Sequence, residues 1–215
     1  MFCSSNGAQN SSGKKKGEKW ESRVLISLVG GCGVGKSHLI HSYINKNRFR
    51  RRYIHTVGVD FKSKIMMLDG NAIQLKVFDF SGTCISDPNF CYQFIRYGNI
   101  PAGLILAYDI TNHTSFLDVT SWYVQLKSRA RTTIPAMLVG MKADQDSRQV
   151  DEELVKSFSE QEDILCSTEV SAFDKVGCEF VFATITSLIT RKYPNLKDKV
   201  KSVSTTNEIA SDKLN

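Results

Sequence analysis

One glycine-rich segment has the residue types and the spacing of a phosphate-binding loop. Residues 30–37 match the pattern Gly-x-x-x-x-Gly-Lys-Ser, between an apolar run and a segment whose apolar residues recur at helical spacing. The glycines let successive backbone N–H groups point at phosphate oxygens, aided by the positive end of the following helix. Lys36 would neutralise the β- and γ-phosphates, and Ser37 would ligate magnesium. The alternative is an ordinary glycine-rich turn. The expected nucleotide-binding residues of this segment are Gly31, Cys32, Gly33, Val34, Gly35, Lys36, Ser37 and His38.

A second segment that could do chemistry contains Asp79 and Gly82, at the end of a predicted strand. Asp79 could hold magnesium through a water molecule, and the backbone N–H of Gly82 could meet a γ-phosphate. The pattern Asp-x-x-Gly is very common, and a plain loop is its default interpretation. Its position after a predicted central strand favours the functional interpretation, because ligands of such sheets bind at the carboxyl ends of the strands.

Predicted strands and helices alternate along the chain and would position these segments. Apolar runs predict strands at residues 23–29, 61–68, 72–78, 103–108, 136–139 and 164–170, with a hairpin turn at residues 69–71. Helical spacing predicts helices after the phosphate loop, at 114–129, at 176–191, and from Asp151 onward. The expected buried residues of these helices are Leu39, Ile40, Tyr43, Ile44, Phe116, Val119, Tyr123, Leu126, Leu154, Val155, Phe158, Phe180, Ile185, Leu188 and Ile189. The pattern indicates an α/β fold whose six-stranded, mostly parallel sheet has one antiparallel strand and helices on both faces.

Composition limits the class of protein. The 215 residues, 41% of them hydrophobic, fit one compact domain with two polar tails. We expect residues 1–20 and 194–215 to be disordered, because they can bury little apolar surface. No apolar run has membrane-spanning length, and no signal peptide opens the chain. The six cysteines lack paired metal-ligand spacing and indicate reduced thiols in a cytosolic protein.

The formal net charge of +6 does not by itself indicate nucleic-acid binding. The excess comes largely from the two tails and from residues 48–52, and no long basic face is interleaved with aromatic residues. Weak attraction to an anionic membrane surface explains the tails as well. The cluster formed by Arg48, Arg50, Arg51 and Arg52 is interpreted as a solvated face, with a steering patch for an acidic partner or for membrane headgroups as the alternative.

Six ordered segments together resemble the Ras superfamily of small GTPases and, within it, the Rab branch. Beside the phosphate loop and the Asp79 segment, residues 53–61 look like the Rab effector segment and residues 106–111 like the exit of its fourth strand. Residues 137–144 resemble its base-recognition strand, and residues 169–172 complete the set. The resemblance covers about residues 22–191. It implies a single P-loop small GTPase domain over residues 21–193.

The resemblance also implies which residues hold the nucleotide. Thr56 would bind magnesium and the γ-phosphate, so that the expected metal ligands are Ser37, Thr56 and Asp79. Asp144 would accept hydrogen bonds from N1 and the 2-amino group of guanine, a pattern that adenine cannot offer. Lys142 would lie along the ring, and the backbone of Ser171 and Ala172, next to Phe173, would donate to O6. The expected bound nucleotide is GTP or GDP with Mg²⁺, and the residues expected to act in hydrolysis are Lys36, Thr56, Gly82 and Thr83.

The chain departs from this family at the position that orients the attacking water. After Gly82 the family usually has Gln, but this chain has Thr83, which is shorter and branched at Cβ. Ser81 also replaces the usual Ala. Because positioning is most of what a GTPase contributes to phosphoryl transfer, we expect slow intrinsic hydrolysis of GTP. Activators of the Rab branch can supply both an Arg and a Gln, so assisted hydrolysis is compatible with Thr83.

A second departure lies at the base. Met141 stands where the family has the Asn of its Asn-Lys-x-Asp motif. Losing that amide removes about two hydrogen bonds of roughly 0.5 to 1.5 kcal/mol each, although methionine can fill the space. We therefore expect weakened guanine binding and faster nucleotide dissociation. Residues 84–90 match no ordinary second switch of the family, so the identity of the partners cannot be inferred from any relative.

Two functional interpretations follow. The first is a Rab-type GTP-binding switch that recruits effectors in the GTP state, in vesicle or membrane trafficking, with an exchange factor and a GTPase-activating protein as partners. The alternative is a non-cycling pseudo-GTPase that acts as a protein-interaction scaffold. We expect a monomer in the cytoplasm that binds no nucleic acid. Its contact at endomembranes should be at most peripheral, because residues 211–215 contain no prenylatable cysteine. Acylation of Cys3 is the alternative route to a membrane.

Overall fold

The computed structural model describes residues 22–44, 56–86, 93, 102–129 and 133–194. Residues 1–20, 195–215, the arginine cluster at 48–52 and residues 87–90 therefore lie outside the described residues, as do the expectations that concern them. No helix within the described ranges is long and apolar enough to cross a membrane.

Six strands form one sheet. They are β1 (Ser22–Val29), β2 (Val59–Leu68), β3 (Asn71–Phe80), β4 (Ala102–Asp109), β5 (Ala136–Met141) and β6 (Cys166–Val170). Their order is β2-β3-β1-β4-β5-β6, and only β2 and β3 pair in antiparallel fashion. The turn between β2 and β3 contains Asp69 and Gly70, both with positive φ, as the hairpin prediction required. The mixed sheet is confirmed, and its sixth strand begins at Cys166, two residues later than predicted.

Four α-helices lie in the described part of the chain: α1 (Lys36–Ile44), α2 (His113–Arg129), α3 (Glu152–Gln161) and α4 (Lys175–Lys192). One core joins α1 and α4 to the sheet, and the second core joins α2 and α3 to the opposite face. Both cores contain residues of the central strands, which are apolar on both sides because helices cover both faces. Helices on both faces, as predicted, are therefore confirmed.

Two expected core residues are on the surface. Phe180 of α4 is 55% exposed, because the helix turns Cys178, Phe182 and Ile185 toward the sheet and leaves Phe180 on the outer side. Leu154 of α3 is 37% exposed for the same reason, since Val155 and Ser159 are the buried residues of that helix. In α4 apolar residues occupy more than one side, so that spacing alone does not identify the buried side, whereas Leu154 lies at the edge of the single apolar side of α3.

Candidate functional site: a phosphate loop and an adjoining base pocket

The phosphate loop lies between β1 and α1, as the sequence predicts. Lys36 is the first residue of α1 and is buried, with its Nζ donating to the carbonyl oxygens of Gly30 and Gly31 at 2.8 Å each. The ammonium group is thus held under the loop by two backbone acceptors. A buried lysine that keeps its charge needs such partners, and a phosphate would offer stronger ones at the same place.

Gly82 packs directly on the phosphate loop. A Cβ atom at this position would overlap the backbone N and Cα of Cys32, so only glycine fits. The close approach brings the first residue of the 3-10 helix (Gly82–Ser86) next to the loop. The end of β3 and the phosphate loop therefore form one surface, and Cys32 is exposed there.

Three side-chain oxygens from three separate segments converge beside the loop. Ser37 Oγ donates to Asp79 Oδ2 at 2.5 Å and lies 3.0 Å from Thr56 Oγ1. Thr56 Oγ1 also lies 3.4 Å from Asp79 Oδ2. Ser37 is in the first turn of α1, Asp79 is near the end of β3, and Thr56 precedes β2, so the fold brings together residues up to 42 positions apart.

This oxygen cluster fits a magnesium ion. Hydroxyl and carboxylate oxygens are the ligands that Mg²⁺ prefers, and the ion is commonly held by one carboxylate with the remaining positions left to waters and phosphates. Asp79 Oδ1 is buried and has no hydrogen-bond partner among the described residues. Burial raises the pKa of Asp79, and the hydrogen bond from Ser37 and the charge of Lys36 oppose this shift. No group of three or more His, Cys, Asp or Glu residues suited to a metal occurs in the described ranges.

The segment before β2 is tied to the end of β3. Ser81 N donates to the carbonyl oxygen of Gly58 at 2.9 Å, two residues after Thr56. The position of Thr56 therefore depends on the same strand end that presents Asp79 and Gly82. Val57, before this anchor, is 92% exposed and Phe61, in β2, is 59% exposed, so the residues on either side of Gly58 present apolar side chains to solvent.

Ser81 and Thr83, which both depart from the family pattern, bind each other. Their hydroxyl oxygens lie 2.9 Å apart, and Thr83 N lies 3.4 Å from Ser81 Oγ. Ser81 is buried, whereas Thr83 is exposed. The only polar atom of the Thr83 side chain is therefore turned toward Ser81, inside the turn at the end of β3.

The predicted base-binding residues lie at the ends of β5 and β6, next to the phosphate loop. Asp144 accepts from Gln145 Nε2 at 2.7 Å, and a hydrogen bond from Ser171, with this one, lowers the pKa of Asp144. Phe173 N donates to Ser171 Oγ at 3.2 Å, which orders the turn that leads into α4. Asp144 and Ser171 are thus neighbours although 27 positions separate them in the chain. Asp144 is exposed to solvent, and its lowered pKa keeps the carboxylate ionised at neutral pH.

Met141, the last residue of β5, is fully buried and lies against the phosphate loop. A Cβ atom added to Gly35 would lie 3.2 Å from Met141 Cε and 3.7 Å from Met141 Cβ, and Gly35 has a φ of 113° that favours glycine. The methionine therefore fills the space between β5 and the loop through apolar contacts. It offers no hydrogen-bond donor to the loop, which bears on the expected weakening of nucleotide binding.

Two residues with contacts in the site were not among the expected ones. Gly30 supplies a carbonyl to Lys36, and a Cβ there would overlap the carbonyl oxygen of Ala107. Asp109, the last residue of β4, pairs with Lys142 through a 2.5 Å contact between Oδ2 and Nζ. A signal for Asp109 was present in the chain, because an Asp two residues before a Thr at a strand end is typical of a side-chain-capped turn.

Comparison with known proteins agrees with this architecture. The model of the Ras family matches residues 25–191. The Ras-related protein Rab-4 of Dictyostelium discoideum is 34% identical over 169 residues, which cover 79% of this chain and 80% of that protein. The GTP-binding protein ypt4 of Schizosaccharomyces pombe is 34% identical over 177 residues (80% and 74%), and YPT1 of Saccharomyces cerevisiae is 33% identical over 161 residues (74% and 75%). The chain therefore belongs to the Ras family of small GTPases, with Rab proteins among its relatives.

Proposed function

We propose that this protein is a Rab-type switch whose conformation depends on whether GTP or GDP is bound. The observation that carries the proposal is the contact of Thr56 Oγ1 with Ser37 Oγ at 3.0 Å, because it joins the segment before β2 to the phosphate loop. A γ-phosphate that engages Thr56 and the N–H of Gly82 would hold both flanking segments in one arrangement, and its loss would release them.

In this proposal Lys36, at the start of α1, balances the charge of the β- and γ-phosphates. Ser37, Thr56 and Asp79 would hold Mg²⁺, which neutralises phosphate charge when bound. The backbone N–H groups of residues 31–35 would face the phosphate oxygens. The places of these residues around the loop and the family to which the chain belongs support the proposed roles.

The base is read at the other end of the site. Asp144 is ionised and exposed, so its two oxygens can accept from N1 and from the 2-amino group of guanine. Lys142, Ser171, Ala172 and Phe173 complete the proposed pocket. Adenine has an acceptor at N1, which would face the carboxylate and leave it without partners, so GTP and GDP are favoured over ATP and ADP.

Slow intrinsic hydrolysis is the second part of the proposal. Thr83 has one hydroxyl, which is bound to Ser81 at 2.9 Å and cannot reach as far as a glutamine amide. The attacking water would lack the group that orients it, and the triphosphate state would be long-lived. The short, hydrogen-bonded side chain of Thr83 and the presence of Met141 at the base also favour the alternative, a scaffold that no longer cycles.

The output of the switch is protein binding. Val57 and Phe61 are exposed on the segment next to Thr56 and offer an apolar surface that would change with the nucleotide. An effector that binds the GTP state, an exchange factor and a GTPase-activating protein are the proposed partners. By its relation to Rab proteins, we propose a role in vesicle or membrane trafficking, with peripheral contact at endomembranes.

The nucleotide that copurifies with the protein tests the proposal. Denaturation of the purified protein and chromatography of the released nucleotide should give GTP or GDP near one per chain. Dissociation of mantGDP should accelerate when EDTA removes Mg²⁺, and Thr56→Ala should reduce the stabilisation of GTP over GDP. Bound GTP would indicate impaired hydrolysis, and an empty site that takes up no guanine nucleotide would favour the scaffold. Tighter uptake of ATP than of GTP would contradict the proposal.

A further inference from the structure

The structure assigns to Asp109 the function of a positioning residue that holds Lys142 in place for stacking on the guanine base. Asp109 is the last residue of β4, and its register partner across the sheet is Met141, the residue before Lys142. Asp109 and Lys142 therefore lie at the carboxyl ends of neighbouring strands, one residue apart in register, at the edge of the proposed base pocket. This inference rests on the proposed binding of guanine nucleotides and adds a residue to that site.

Both oxygens of the Asp109 carboxylate are engaged. Oδ1 accepts from Thr111 N at 2.9 Å and from Thr111 Oγ1 at 2.7 Å, whereas Oδ2 accepts from Lys142 Nζ at 2.5 Å. The Thr111 hydrogen bonds fix the rotation of the carboxylate, so that Oδ2 points at the lysine. An anchor that is itself held loses little conformational entropy when it binds a second group.

The backbone of Asp109 is held as firmly as its side chain. Asp109 N lies 2.9 Å from Ser115 Oγ, which is buried, and Asn112 N donates to the carbonyl oxygen of Asp109 at 2.9 Å. The carboxylate is 7% exposed, whereas the side chain of Lys142 is 40% exposed. The buried partner is thus the fixed one, and the lysine is the one that would otherwise move.

Burial by itself raises the pKa of Asp109, but the hydrogen bonds from Lys142 and Thr111 outweigh it and leave the pKa below its ordinary value. The carboxylate is therefore charged at neutral pH and binds the ammonium group as an ion. Lys142 also has a φ of 64°, which non-glycine residues seldom adopt. This backbone conformation and the Asp109 anchor fix the two ends of the side chain, so that its methylene groups form a preformed apolar surface beside the base.

A double-mutant cycle tests the inference. Asp109→Asn should raise the dissociation rate of mantGDP about three- to tenfold, in keeping with the net value of one hydrogen bond. Lys142→Met should raise it as well, and adding Asp109→Asn to Lys142→Met should change the rate less than twofold. Equal factors in the two backgrounds would show a general structural effect and overturn the inference, because a residue that acts through Lys142 cannot act when Lys142 is absent. Glu162→Gln, at the Lys127–Glu162 ion pair between other elements, is the matched control and should leave the rate unchanged.

Acetylation of lysines in the nucleotide-free wild type, followed by mass spectrometry, tests the anchor without any substitution. Lys142 should react several times more slowly than the exposed Lys156, and Asp109→Asn should abolish the difference. Equal reactivity in the wild type would overturn the inference even if Asp109→Asn does not fold. A wild type that binds no mantGDP would overturn the proposed function and the role of Asp109 with it. Ordinary binding that Asp109→Asn leaves unchanged would overturn the role of Asp109 alone.

Discussion

The side-chain hydroxyl groups of Thr83 and Ser81 are hydrogen-bonded to each other. Their oxygens lie 2.9 Å apart at the first turn after β3, where Gly82 packs on the phosphate loop. Two departures from the family pattern are therefore one structural feature. The hydrogen bond between the Thr83 and Ser81 hydroxyl groups stabilises the turn. Thr83 occupies the position from which the family usually orients the attacking water. This pairing has a direct consequence for the rate of hydrolysis.

Thr83→Gln should increase the single-turnover rate of GTP hydrolysis by about ten- to a hundredfold, because a glutamine amide can reach and orient the attacking water. Ser81→Ala combined with Thr83→Gln should give the larger increase, since it restores both residues usual in the family. Thr83→Val keeps the shape without the hydroxyl and should hydrolyse GTP no faster than the wild type. Hydrolysis by the wild type as fast as by the Gln variants would contradict this explanation.

Met141→Asn should slow the dissociation of mantGDP about tenfold, because the amide adds hydrogen bonds between β5 and the phosphate loop. Met141→Leu is the control, since it keeps an apolar side chain of similar volume against Gly35 and should dissociate at the wild-type rate or somewhat faster. Stopped-flow fluorescence measures both rates. Identical rates for the wild type and Met141→Asn would show that apolar packing fully replaces the amide.

Asp144→Asn should weaken GTP binding about a hundredfold or more, because two hydrogen bonds to a charged acceptor are lost. Xanthosine triphosphate carries an oxygen where guanine has its 2-amino group, and an asparagine amide can donate to that oxygen. The variant should therefore prefer xanthosine over guanosine triphosphate in competition with a fluorescent nucleotide. Unchanged affinity for GTP would place the base elsewhere.

Asp109 should make the stability of the nucleotide-free protein depend on pH in the acid range. Its pKa is below the ordinary value, so its ionised form stabilises the folded state above about pH 4, and this contribution is lost as the pH falls through the lowered folded value. Asp109→Asn should cost about 1 to 2 kcal/mol of unfolding free energy at pH 7. Urea denaturation should show this difference shrinking as the pH falls below about 4, whereas a difference that stays constant would contradict the assignment.

Local sequence patterns were enough to predict the strands, the helices and the phosphate loop. The loop is one continuous segment whose chemistry resides in its own backbone, so the order of Gly, Lys and Ser in residues 30–37 was enough to predict it. Strands β1, β4 and β5 are short apolar runs, and the antiparallel hairpin follows from Asp69 and Gly70. The exposure of Phe180 was not predicted, because apolar residues occur on several sides of α4 and their spacing does not identify the buried side.

The sequence by itself determined which residues could bind phosphate and base, since residue type and local spacing carry that information. Only the tertiary structure decided which of them meet: Ser37 with Asp79, Met141 with Gly35, and Lys142 with Asp109. These contacts join strand ends that are far apart in the chain, and they depend on sheet order and register. Those two properties arise from packing of the whole domain, in which a shift of one residue in a strand turns each of its side chains to the opposite face.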